Sequence, residues 1–247
     1  MALRQRIASR MRRVREQEPP ARPVRLSDTQ RTEAFSDGVF AIAITLLVLN
    51  LSTPRHHPGE LLQALLRQWP AYVGYATSFL FIGVIWFNHH QVFTRIRYVD
   101  RGLHVGNLAI LFTTAVLPFP TEVLAAAVQE GDPFDERVAV AFYALCAAAM
   151  CSSWLLFFTH LSRRGPLVHE GVDSAYFRWE RFRATVGIVL YLVAAAAAWL
   201  ITPVVALPIF SFLPAFFWST SEGIIDILPF FRRSRGAGGD LIRRSPP

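Results

Sequence analysis

The sequence predicts an all-α integral membrane protein with six transmembrane helices per subunit. Hydrophobic residues make up 53% of the 247-residue chain, charged residues only 17%, and the mean hydropathy is +0.33. That is too apolar for a soluble domain of this size. Apolar runs long enough to cross a bilayer recur between short polar segments. The formal charge of +7 comes from arginine alone, since no lysine is present, and the arginines cluster in the tails and alternate loops. Such placement fits groups flanking membrane spans rather than a nucleic-acid surface.

Residues 1–30 are arginine-rich, contain Pro19, Pro20 and Pro23, and show no apolar core or small-residue cleavage site. They read as a disordered basic cytoplasmic tail rather than a signal peptide. Residues 31–231 are expected to hold the membrane domain, and 232–247, rich in glycine and arginine, a second disordered basic cytoplasmic tail.

The first span carries polar residues at its start. From Phe35 to Leu51 it rises about 25 Å, the low end of a bilayer crossing. An Asp37 carboxylate near mid-membrane would cost on the order of 3 kcal/mol, less near the interface, so it needs a partner. At about 100° per residue, Phe35, Ile42, Leu46 and Leu49 share a large apolar stripe, and Ala34, Gly38, Ala41 and Thr45 share a small one. The small stripe is expected to pack against another helix, with Ser36 and Asp37 facing partners in their own bundle. On residue types alone, Asp37 reads equally well as a helix N-cap.

Residues 52–69 then form a loop followed by a short interfacial helix. Residues 72–87 make the second span, ending in Asn88, His89 and His90, and a basic loop with Arg95, Arg97 and Arg101 follows. Residues 103–117 are the third span, stopped by Pro118 and Pro120, and residues 122–136 an acidic loop. Residues 138–158 are the fourth span. Residues 160–183, with five arginines among Tyr176, Phe177, Trp179 and Phe182, read as a basic interfacial helix feeding the fifth span at 184–201. A sixth, short span over 204–218 is interrupted by Pro208 and Pro214, and 224–231 is expected to lie along the membrane surface. Cys146 and Cys151, five positions apart and about 140° apart on a helix, cannot pair with each other and read as packing residues. Arginine asymmetry places both termini in the cytoplasm, Arg55 and Arg67 being the exceptions.

The motif Arg31, then Phe35-Ser36-Asp37, then the apolar run 38–47, resembles the R-x-x-x-F-S-D first-helix signature of the bacterial branch of the transmembrane protein 175 family of potassium channels. The stretches 86–93 and 117–121 are similar to the same family, and the likeness is firm over 31–124. The resemblance implies a homotetramer in the cell inner (plasma) membrane. Its pore would be lined by the first helix, passing potassium through rings at Ile42, Leu46 and Leu49 with Thr45 close by. It also implies that the F-S-D residues hold that helix in place rather than bind the ion.

Arg31, Ser36, Asp37, Asn88 and His89 fall at one depth under this topology, so a hydrogen-bonded cluster of Arg31, Phe35, Ser36, Asp37, Asn88 and His89 is expected to pin the first helix in rotation. One subunit has too few polar inward positions to enclose a wet path, whereas several first helices around an axis make hydrophobic constrictions that gate or select by dewetting. The bland reading of Ile42, Leu46 and Leu49 is a core or lipid-facing stripe. Selectivity through a carbonyl filter is not expected, because no T-V-G-Y-G loop is present. Asp37, His89, His90, His104 and Glu122 are the candidates for a catalytic or metal site. Adjacent histidines point about 100° apart on a helix, and no nucleophile or phosphate-binding motif appears, so neither an enzyme nor a cofactor is expected beyond the permeant potassium ion and surrounding lipids. Two alternatives stay open: a proton-coupled transporter using an Asp37/His89 relay, and a non-conducting membrane scaffold. The chain shows no convincing internal repeat of the kind transporters carry.

Overall fold

A computed structural model describes residues 29–203 and 206–220. The expected tails at 1–30 and 232–247, and the surface segment at 224–231, lie outside the described residues save for positions 29 and 30. The architecture is helical: α1 Thr29–Leu46, continued by a 3-10 turn Leu47–Asn50, then α2 Leu61–Arg67, α3 Trp69–Phe93, α4 Arg101–Val116, α5 Pro118–Glu130, α6 Pro133–Arg163, α7 Ser174–Leu200 and α8 Ala206–Ser219. Five segments are long and apolar enough to cross a membrane: Thr29–Asn50, Trp69–Phe93, Arg101–Glu130, Pro133–Arg163 and Ser174–Leu200. The chain is a multi-pass membrane protein.

Three expectations are corrected. Pro118 and Pro120 do not end the third span. Lacking N–H groups, they break the ladder, but at the first turn of a new helix those N–H groups would have no partner anyway, so α5 starts at once. The acidic loop shrinks accordingly to a tight turn. Gly131 takes φ 76°, a left-handed conformation suited to glycine, and Asp132 caps α6 by accepting from the Phe134 and Asp135 N–H groups. Likewise, residues 160–183 are not one interfacial helix. His160 and Arg163 complete α6, while Asp173 caps α7, which runs unbroken through the fifth span. The last helix, at 14 residues, is about 21 Å long, shorter than a bilayer core.

α6 is the hub, packing on α4, α5 and above all α7, while α1 packs on α3 and α4, and α8 on α7 and α3. The membrane window of α6 is 56% buried and that of α1 only 28%, so α1 lies on the rim of the helical bundle. The close α6–α7 contact needs Gly187, where a Cβ would stand 2.8 Å from Cys151 Sγ and 2.9 Å from Phe217 Cζ. At the arginine-rich end, the two connecting loops pair through an Ile96–Val168 bridge.

Candidate functional site

The site is the rim helix α1 and what fastens it. Thr32, Ser36, Phe40, Ala43 and Leu47 are its buried residues, spaced three or four apart on one face. Ser36 is fully buried and its Oγ donates to the Thr32 carbonyl at 2.8 Å. That leaves the oxygen to accept from Asn107 Nδ2 of α4 at 2.9 Å. Asn107 Oδ1 in turn lies 2.7 Å from Nε2 of the fully buried His89 on α3. An amide oxygen only accepts, so the shared proton sits on Nε2, and Nδ1 is a bare acceptor with no partner among the described residues. The His89 ring is wedged by Phe40 edge-on at 5.1 Å and Phe93 stacked at 4.3 Å.

Two further ties flank this buried line. Trp86 Nε1 donates to Asp37 Oδ1 at 2.9 Å, and His90 Nδ1 lies 2.9 Å from Glu33 Oε1. At the other end of the span, Asn50 Nδ2 donates to the Pro118 carbonyl at 3.0 Å. α1 is therefore held at both ends and along one face.

The opposite half of α1 is bare. Phe35, Ile42, Leu46 and Leu49 are 57%, 60%, 43% and 72% exposed. The small stripe is bare too: Ala34, Gly38, Ala41 and Thr45 are exposed, and a Cβ on Gly38 would meet nothing within 4 Å. Among the described residues, then, this stripe packs against no helix, contrary to the expectation from its small side chains. The Thr45 hydroxyl donates back to the Ala41 and Ile42 carbonyls at 3.1 and 2.9 Å, which turns its lone pairs outward.

The structure brings Ser36 and His89 together through Asn107, and places Asp37 beside them on Trp86. Arg31 and Phe35 stand apart because both lie on the exposed half of the helix. Asn88 turns the other way, since neighbours on a helix diverge by about 100°. It bonds the Val84 carbonyl at 2.8 Å and accepts from Arg183 Nη2 at 3.5 Å. Arg183, almost wholly buried, grips both oxygens of Glu180 at 2.7 and 2.8 Å and the Phe217 carbonyl at 2.7 Å, tying α7 to α8. No hydrogen bond joins Asp37 to His89. Asn107, Trp86 and Glu33 escaped the sequence reading. The available sign for Asn107 was a lone carboxamide inside an apolar span, which needs a partner.

Residues 31–118 match the family described as the endosomal/lysosomal potassium channel TMEM175. A protein named as a potassium channel from Streptomyces collinus is 42% identical over 179 residues, 72% of this chain and 86% of that relative. The chain belongs to the TMEM175 family. A second relative, named as a potassium channel of Chamaesiphon minutus, is 35% identical over 181 residues, 70% of this chain and 88% of its own length. The crystal structure of a lysosomal potassium-selective channel TMEM175 homolog from Chamaesiphon minutus superposes with a TM-score of 0.69 at 34% identity, covering 78% of this chain and 98% of that one. The stretch matched to the TMEM175 family holds α1, α3, α4 and every residue that fastens α1.

Proposed function

We propose that this chain is a potassium channel in which copies assemble as a homotetramer around an axis lined by α1, potassium passing down its gradient without a cofactor. The observation that carries the reading is the division of α1 into a face locked by Ser36, Asp37 and Asn50 and an opposite bare face bearing Ile42, Thr45, Leu46 and Leu49. A helix fixed in rotation presents the same side chains to the axis in every copy. Ile42, Leu46 and Leu49 would then form successive apolar rings about one helical turn apart, which oppose ion passage by dewetting and by the cost of removing water from the ion. The outward lone pairs of Thr45 supply oxygen ligands between those rings. The short α8 serves as the sixth membrane helix of each subunit. The arginines of the 94–101 and 160–183 segments favour placing that end of the bundle, and with it both termini, in the cytoplasm of a cell whose plasma membrane holds the chain.

The test is single-channel recording from the purified chain in planar bilayers under a potassium-versus-sodium gradient. Unitary currents reversing near the potassium equilibrium potential are expected, and Leu46→Ala, which widens one ring, is expected to bring the reversal potential toward zero while assembly is kept. Absence of unitary current together with acidification of loaded vesicles would replace this reading with proton-coupled transport.

A further inference from the structure

α7 carries an outward stripe that the pore does not use. Arg178, Phe182, Val189, Leu192, Val193 and Leu200 are all exposed and fall within about 100° of one another around the helix. Trp179 and Trp199, 41% and 49% exposed, flank this stripe. They are 20 residues apart, so about 30 Å separates them along the axis, the thickness of a bilayer core with one indole at each interface. The stripe thus has the length and end groups of a lipid-facing surface.

Its arginine-rich end adds charge. Trp179 and Phe182 stack with ring centroids 5.6 Å apart. Beside them, Arg178 is exposed and donates one guanidinium N–H to the neutral Ser174 hydroxyl at 3.1 Å, with the rest of its fork turned to the surroundings. Arg181 lies about 60° to the other side of Arg178 and is half-buried. The nearby carboxylates are engaged elsewhere: Asp173 caps the helix by accepting from the Ala175 N–H, and Glu180 is held by Arg183. We infer that Arg178 and Arg181, with the Trp179–Phe182 pair, bind the phosphate of an anionic phospholipid whose acyl chains lie along the bare stripe of α7. Charge complementarity selects the headgroup, and the 30 Å apolar track between the two indoles selects a membrane lipid over a soluble anion.

The experiment is native mass spectrometry of the full purified chain presented with phosphatidylglycerol or phosphatidylcholine. Wild type is expected to retain phosphatidylglycerol in preference. Arg178→Gln/Arg181→Gln should lower that retention about twenty-five-fold, since each arginine near an anionic surface is worth about fivefold, while Arg178→Lys/Arg181→Lys should restore most of it. Equal retention by the Gln variant, or equal retention of the two lipids by wild type, overturns the proposal. Release of phosphatidylglycerol by millimolar inorganic phosphate would assign the arginines to soluble anions. Disulfide formation between copies of Trp179→Cys would put a second copy of the chain on this face. Either result also overturns it.

Discussion

Asn107 shows how much one buried side chain decides. Its oxygen and nitrogen are both used, one toward His89 and one toward Ser36, so it joins three helices at a single point. Asn107→Leu keeps the branched shape but strands a buried imidazole N–H, which costs about 1–3 kcal/mol. Thermal unfolding in detergent should show that loss, and an unchanged midpoint would mean the line does not anchor α1. Asp100 is a second residue with a measurable signature. Burial by itself would push its carboxyl up, but the Leu103 N–H and His160 outweigh burial and hold it below its ordinary 3.8. A carboxyl depressed in the folded state contributes stability above the unfolded value and loses it as pH falls through the folded one. The wild type should therefore lose stability relative to Asp100→Asn as pH drops below about 3.8, and equal acid sensitivity in denaturant melts would contradict this.

Among elements, the α6–α7 pair is the most tightly built. Gly187 lets the two helices approach until Cys151 and Phe217 fill the space a side chain would need. Gly187→Leu must push α7 off α6 and α8, an overpacking worth about 1–3 kcal/mol, visible as a lowered melting temperature; an unchanged melt would show that the contact relaxes freely. Element limits were only partly legible in the sequence. The apolar runs located the five segments long and apolar enough to cross a membrane, but the proline pair at 118 and 120 was misread, because a proline marks a break in hydrogen bonding and not whether the next turn starts a new helix. The fused α7 was misread for a related reason. Arginine looks interfacial by composition, yet Arg183 is buried, because Glu180 one turn earlier neutralises it and the Phe217 carbonyl accepts from its Nη2.

For the whole molecule, the exposed half of α1 is the surface on which the proposed assembly rests. If four copies meet there, Leu49→Cys should oxidise to covalent dimers within particles of tetramer mass, while Leu200→Cys on the outer stripe of α7 should stay monomeric on a denaturing gel. The reverse pattern would move the axis to α7. The sequence by itself determined that the chain spans a membrane and that the first helix divides into polar and apolar stripes, because composition and helical period are local properties, and its R-x-x-x-F-S-D motif pointed to the family. Only the tertiary structure decided which stripe is locked and which is bare. That choice depends on Asn107, Trp86 and Pro118, between 49 and 71 positions away from their partners on α1, and no local pattern encodes which distant donor reaches which acceptor once the helices have packed.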